Sequence, residues 1–420
     1  MAELVYSEKG RLLFTEEMRK DYTILIPMML PIHFTLLEKI FNLHGYKVEL
    51  LKTTHRQIVD EGLENVHNDT CYPALLVIGQ FLDALKSGKY DLHKTALMIT
   101  QTGGGCRASN YINLLRKALV KNDMEYVPVV SLNMSNMEHN PGFKLSVKLL
   151  YQLVSAVCYG DLLMWIGNQV RPYELNPGET DRLIDAWLTK LVNGSIGVRD
   201  FTKRSKRIIK DFEAIPIKMT PKIRVGIVGE IYIKYAPLGN NGLEEFLQKE
   251  GAEVVVPGLL DFLLFMCDHH IVDTQLYHVH YKKYVGSAVL KTFLLSMQRK
   301  MIAALTDSKF RAPQYFEKTK ALGSKYVSPG NKMGEGWLLT AEMLELIHSG
   351  VENIVCAQPF GCLPNHIVGK GMIRRIREDY STANIVAIDY DPGATRVNQE
   401  NRIKLMLSTA RENLNARKSK

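Results

Sequence analysis

Short apolar runs separated by longer amphipathic stretches recur along most of the chain. Tyr22-Thr23-Ile24-Leu25-Ile26-Pro27, Tyr46-Lys47-Val48-Glu49-Leu50-Leu51, Thr95-Ala96-Leu97-Met98-Ile99-Thr100 and Val127-Pro128-Val129-Val130-Ser131-Leu132 read as strands. Between them the pattern predicts helices over about 33–44, after Pro73, from near Ser109 and over about 144–165. Apolar strands alternating with helices indicate a parallel sheet covered on both faces. The stretch 170–221 differs: it is helical in pattern, charge-rich, and ends in Ile215-Pro216-Ile217-Lys218-Met219-Thr220-Pro221. A second block follows, with strands at Lys222–Glu230, Glu253–Pro257, Asn353–Cys356 and Asn384–Asp389. Its predicted helices cover about 244–250, 280–305, 337–348 and 394–412.

The expected fold class is therefore α/β, with two flavodoxin-like (Rossmann-like) parallel-sheet domains. They are expected at 1–165 and 222–420, joined by a helical connection at 166–221. The two layouts are alike, but no internal repeat is visible in the sequence. In open parallel sheets, binding residues gather in the loops leaving the carboxyl ends of strands. Two such domains facing each other would bring distant loops into one cleft.

Composition narrows the class. The 420 residues are 46% hydrophobic and 23% charged, without biased tracts. No apolar run stands out as a membrane span, and Met1-Ala2-Glu3-Leu4 does not open a signal peptide, so a cytoplasmic protein without a membrane partner is expected. The formal charge of +9 is scattered, with concentrations only at Lys203-Arg204-Ser205-Lys206-Arg207 and Arg417-Lys418-Ser419-Lys420. No aromatic residues interleave with the first cluster, which reads as solvated surface and not as a nucleic-acid footprint.

The candidate chemistry lies in the cysteines. Four of the six sit in or beside loops rich in Gly, Pro, Asn and Gln. Cys71 lies in Asn68-Asp69-Thr70-Cys71-Tyr72-Pro73, and Cys106 in Thr102-Gly103-Gly104-Gly105-Cys106-Arg107. Cys356 and Cys362 bracket Ala357-Gln358-Pro359-Phe360-Gly361, ahead of Leu363-Pro364-Asn365-His366. In a reducing compartment, clustered thiols indicate metal binding or catalysis in preference to disulfides. Gly103, Gly104 and Gly105 lack Cβ atoms, so their N–H groups can turn towards one anionic cofactor. Pro73 and Pro364 suit a first helical turn, which sets Cys71 and Cys362 at helix N-termini, where the dipole favours thiolate.

Cys356 sits where its strand is expected to end and has a core alternative. Cys158, on an apolar helix, reads as core. Cys267-Asp268-His269-His270 imitates a zinc site, but adjacent residues do not readily ligate one ion and no second pair lies at finger spacing. Asp389-Tyr390-Asp391-Pro392-Gly393 imitates a calcium loop with its glycine one position early. Loop position alone puts Gln101, Arg107 and Glu230 beside the expected cleft.

These motifs carry a resemblance. Asn68–Pro73, Gln101–Arg107, Gln358–His366 and Ala387–Gly393 are similar to stretches of the acyl-CoA dehydratase activase-related proteins. Those proteins are relatives of the 2-hydroxyacyl-CoA dehydratase subunits and the double-cubane cluster proteins, and the likeness runs along nearly the full chain. The resemblance implies an oxygen-sensitive iron–sulfur protein, with a 4Fe-4S cluster between two subdomains and low-potential electrons from an ATP-hydrolysing activase. No actin-like ATPase pattern is present, so that activase is expected as a separate partner; a homodimer is a further expectation. Some relatives hold an 8Fe-9S double cubane, for which Cys158 and Cys267 would have to join the other four cysteines.

Three functions follow as expectations. The first is a redox protein passing electrons to a substrate or another protein. The second is a 2-hydroxyacyl-CoA dehydratase subunit with an open iron held by three cysteines only. The third is a non-redox α/β ligand-binding protein. A ligating Cys356 would close the cluster and favour electron transfer.

Overall fold

A computed structural model describes all residues except 1, 68, 102–103, 134–137, 195, 198, 280 and 419–420. The first half runs α1 (Glu16–Asp21), β1 (Thr23–Pro27), α2 (Pro31–Leu43), β2 (Lys47–Leu51), α3 (Gln57–Asn65) and α4 (Tyr72–Lys86). It continues through β3 (Thr95–Thr100), α5 (Tyr111–Lys121) and β4 (Val129–Leu132). The four strands form a parallel sheet in the order β2-β1-β3-β4, with Leu25 facing Glu49 on one side and Leu97 on the other. Every residue of β3 except Thr100 is buried, as a central parallel strand requires.

Helices α6 (Val147–Val170), α7 (Glu179–Asn193) and α8 (Phe201–Glu213) follow. The sequence-based boundary at 165 falls inside α6, whose buried face continues through Ile166, Asn168 and Val170. By length and composition α6 is apolar enough to cross a membrane, contrary to the reading from the sequence. However, 72% of its apolar window is buried inside the protein. Helix α8 buries Phe201, Ser205, Ile208, Ile209 and Phe212. The clustered cations occupy its other side, where Arg204 donates to the Gly194 carbonyl at 2.8 Å and Lys206 pairs with Asp307 at 3.5 Å. The charge run is thus the wet face of an amphipathic helix.

The second half comprises β5 (Arg224–Gly229), α9 (Ile231–Tyr235), α10 (Pro237–Asn240), α11 (Leu243–Lys249), β6 (Glu253–Val255), α12 (Leu259–Tyr277) and α13 (Tyr281–Thr306). It ends with α14 (Phe316–Gly323), α15 (Leu338–His348), β7 (Asn353–Pro359), α16 (Ile373–Asp379), β8 (Asn384–Tyr390) and α17 (Arg396–Lys418). Its parallel sheet has the order β6-β5-β7-β8. The chain is α/β, with two four-stranded parallel sheets of the same topology among many helices.

Helices α1, α3, α9, α10, α12, α14 and α16 escaped the sequence reading. Helix α3 matters for the site because it seats α4. A Cβ on Gly62 would come within 2.3 Å of the Leu75 carbonyl oxygen, and one on Gly79 within 2.0 Å of the Ile58 oxygen, so the two helices pack backbone to backbone. The halves meet at a buried polar joint. His33 Nε2 lies 2.7 Å from Asp161 Oδ1, and the Asp161 carboxylate accepts the N–H groups of Leu259 and Leu260 at 2.8 Å each. Asp161 therefore caps α12 of the second half from α6.

Candidate metal centre

Cys71 precedes α4 in extended conformation (φ −61°, ψ 147°), with Pro73 in the first helical turn. Proline there forfeits no hydrogen bond, so the chain turns into the helix directly after the thiol. Cys106, also extended (φ −74°, ψ 144°), opens the short turn Arg107–Asn110 that leads into α5. The Ser109 hydroxyl donates to the carbonyls of Gly104 and Cys106 at 3.0 and 2.5 Å, bracing the glycine loop. Gln101 supports it from below, donating to the Ser109 carbonyl at 3.2 Å and accepting from the Ser131 hydroxyl at 2.9 Å. Gly104 adopts φ +86°. Gly103 lies outside the described residues, and Arg107 is exposed. Cys362 starts the wide turn Asn365–Gly369, its carbonyl accepting from the His366 N–H at 3.1 Å.

Three of the four predicted cysteine segments come together across the two halves. The Tyr72 N–H donates to the Phe360 carbonyl at 2.9 Å. Gly361 takes φ +74°, and a Cβ there would lie 3.0 Å from Cys71 Cα, so only glycine allows this approach. Cys71 Sγ is 2.7 Å from the Tyr111 hydroxyl at the start of α5. The loop before α15 closes the other side: a Cβ on Gly334 would lie 3.2 Å from Pro364 Cγ and 3.9 Å from Cys106 Sγ. Met333 of the same loop packs on Gly105.

Cys356 is the exception. Strand β7 runs on to Pro359, pairing Gln358 with Asp389 and Pro359 with Tyr390, so Cys356 is mid-strand. Its fully buried side chain belongs to the apolar cluster with Val228, Ile354 and Ile376, and its thiol donates to Asn365 Oδ1 at 3.6 Å. It is a packing cysteine in this fold. Cys158 is wholly buried in α6 and Cys267 is buried in α12. All six cysteines are free.

Two carboxyls complete the site. Glu230 follows β5 and accepts the Ile233 N–H at 2.8 Å; Glu335, from the loop before α15, accepts the Ile231 N–H at 3.0 Å. Both therefore share the N-terminus of α9. Burial, reinforced by the neighbouring Glu335, pushes Glu230 up to about 8, and burial likewise raises Glu335. The thiols feel the same surroundings. Burial raises Cys362, with Glu335 and Glu230 adding to it, and pushes Cys106 up to about 11. Cys71 is raised by burial against the opposing hydrogen bond from Tyr111. Burial at all three thiols, and the two nearby acids at Cys106 and Cys362, act against the thiolate that helix N-termini were expected to favour.

The surroundings therefore favour protonated thiols until positive charge arrives, and a bound metal deprotonates a coordinating thiol outright. Among the described residues, no three Cys, His, Asp or Glu side chains stand close enough to hold one metal ion. A group that brings its own bridging sulfides spans wider gaps between thiolates than a single ion does. Tyr111, Met333, Gly334 and Glu335 were missed in the sequence. The run Pro329-Gly330-Asn331-Lys332-Met333-Gly334-Glu335-Gly336 was the signal available, a glycine-rich loop ahead of a helix.

No protein-family model matches this chain, and a search of curated proteins finds no match.

Proposed function

We propose that Cys71, Cys106 and Cys362 hold an iron–sulfur cluster in a cleft between two flavodoxin-like domains. On this reading the chain is a redox protein that receives low-potential electrons from an ATP-hydrolysing activase and passes them to a small molecule. The observation that carries it is the approach of three cysteine-bearing loops from both halves, while Cys356 is buried mid-strand. Three thiolates leave one iron of a cubane without a protein ligand. When bound, such a group supplies low-potential electrons and a Lewis-acidic position. A double cubane would need thiolates that the buried Cys158 and Cys267 are badly placed to give.

The chain's own residues have definable tasks. The loops of Gly104–Cys106 and Gly334–Glu335 exclude water from the thiols. Tyr111 holds the Cys71 sulfur in place. Glu230 and Glu335, raised towards neutrality, hold protons next to the centre and can exchange them with a substrate. Such a pair favours the 2-hydroxyacyl-CoA dehydratase form of the reading, because loss of water needs proton movement beside the metal. Phe360, Leu363, Ile367 and Met333 are 51–66% exposed on the loops around the thiols. That apolar rim supports a protein partner covering the site, the activase in this proposal. Oxygen sensitivity, family membership and a reducing, cytoplasmic setting belong to the same proposal.

The test is iron and sulfide content of protein purified without oxygen, with EPR of the dithionite-reduced sample. About four irons per chain are expected. Cys362→Ser should lose them, whereas Cys356→Ser and Cys158→Ser should not. Equal iron in all variants, or none after anaerobic reconstitution, would overturn the reading in favour of a non-redox binding protein.

A further inference from the structure

Helices α12 and α13 pack together as a hairpin whose tip is bare. Among the described residues none is buried between Thr274, near the end of α12, and Leu294, well into α13. That leaves on the order of 20 Å of α13 without a buried side chain. A Cβ on Gly286 would meet nothing within 4 Å. The tip is nevertheless apolar: Leu276, Tyr277, Val279, Tyr281, Val285 and Val289 are 40–68% exposed. Tyr281, Val285 and Val289 follow one another at four-residue intervals, so they form a stripe along one side of α13. The base of the tip is fixed to the body. A Cβ on Gly330 would lie 3.1 Å from the Tyr277 hydroxyl and 3.2 Å from Leu276 Cδ1, and Lys332 pairs with Asp273 of α12.

An apolar patch of this kind marks a binding surface, and its charge says for what. No acidic residue occurs between Asp273 and Asp307, whereas Lys282, Lys283, Lys291, Arg299 and Lys300 do. Lys291 is neutralised by Asp268 and Glu317, and Asp273 by Lys332. Lys282 and Lys283 are exposed beside the stripe, with no carboxylate partner among the described residues. The occupant is therefore anionic as well as apolar. A second copy of this tip fails that requirement, because it would set lysines against lysines. Shape narrows the choice further. The apolar residues emerge from both helices and from the turn between them, which makes a convex end and not a groove. A fluid bilayer conforms to a convex end, whereas a folded partner would need a socket made for it. Tyrosines with an apolar body and a polar tip, flanked by lysines, suit the boundary between acyl chains and anionic headgroups.

We propose that the α12–α13 tip docks on the surface of a bilayer containing anionic phospholipid, with Tyr281, Val285 and Val289 entering the headgroup region and Lys282 and Lys283 meeting the phosphates. The chain then lies on the membrane and does not cross it. The reading from sequence excluded a spanning segment, and this mode needs none. The proposal is independent of the cluster reading.

The experiment is co-sedimentation of the full chain with phosphatidylcholine vesicles, made with or without about 30% phosphatidylglycerol. Binding to the anionic vesicles should be at least tenfold tighter than to the neutral ones and should weaken as salt is raised. Lys282→Glu with Lys283→Glu should abolish that preference, and Tyr281→Ser with Val285→Ser should weaken binding at least tenfold. All four positions are exposed, so circular dichroism and thermal unfolding should not change. Tyr281→Trp supplies a readout that does not depend on a loss: its added fluorescence, relative to the parent chain, should move to shorter wavelength with anionic vesicles only. No binding to anionic vesicles, equal binding to both kinds, or unweakened binding by the serine variant would overturn the proposal. So would a dimer in analytical ultracentrifugation that Val285→Glu returns to a single chain, since a second copy would then cover the tip.

Discussion

The two sheets, β2-β1-β3-β4 and β6-β5-β7-β8, have the same strand order, yet the halves bring different chemistry to the proposed site. The first half offers two thiols, Cys71 and Cys106, each just ahead of a helical turn. The second offers one thiol, Cys362, together with the carboxyls of Glu230 and Glu335 and the glycine loop around Gly334. The corresponding strands β3 and β7 both lead into a cysteine loop, as expected where parallel strands end at their carboxyl edge. Topology thus decides where loops emerge, and the local sequence decides what they carry. The difference extends inward. Buried acids with raised affinity for protons gather in the second half, at Glu230, Asp261, Glu335, Glu342 and Glu345.

The largest expected effect tests whether both halves are needed. Cys71→Ser and Cys106→Ser, from the first half, should lower iron per chain as severely as Cys362→Ser from the second, by tenfold or more. Retention of iron by both first-half variants would show that the second half holds the metal alone.

Next in size is the joint between them. Asp161→Ala leaves His33 and two N–H groups of α12 without their acceptor, a loss of about 3 kcal/mol in urea unfolding. A loss below about 1 kcal/mol would mean that apolar packing alone joins the halves.

Gly361→Ala forces a side chain into a left-handed residue against Cys71 Cα. A cost of about 1–2 kcal/mol is expected, with reduced iron binding. Unchanged iron would argue that the close approach of the two halves is not required for the site.

A pH series sharpens the contrast between the halves. Glu230 in the folded, iron-free chain titrates near 8, above its ordinary 4.5. Its protonated form therefore stabilises the fold fully below pH 4.5, and that contribution is lost as pH rises through about 8. Trp337, 1% exposed in the second half, reports this region by its fluorescence in a background lacking the other tryptophans. Its unfolding midpoint should fall between pH 5 and 8, and Glu230→Gln should flatten the slope. An unchanged slope would mean that Glu230 ionises normally. The smallest effect belongs to α8, where Lys203→Ala or Arg207→Ala should change stability by less than about 0.5 kcal/mol.

All the strands were legible in the sequence because buried parallel strands are short, continuous apolar runs. The long helices were legible for their periodicity and their start signals. Helix α12 was not: Leu259–Tyr277 buries Asp261, Asp268, Asp273 and Thr274 along with its apolar residues, so no polar stripe marks it. Cys356 carried both a ligand and a core alternative in the sequence. Gln358 and Pro359 look like loop residues, but pairing with β8 carries the strand through them, and β7 is buried on both faces from Ile354 to Pro359, Cys356 included. The effect of Glu335 on Cys106 and Cys362 was invisible because it depends on proximity in the folded chain, not on anything in Gly334-Glu335-Gly336 itself.

By itself the sequence determined the class of the fold, the alternation of strands and helices, and the loops in which thiols meet flexible backbone. Those properties are local: they follow from the side-chain period, from proline and glycine geometry, and from which residues each segment can bury. Only the tertiary structure decided that three cysteine loops converge while a fourth cysteine packs, that two acids stand beside them, and that burial raises the thiols. Those outcomes depend on distances between segments remote in sequence and on the water excluded when they close, and no single segment encodes either.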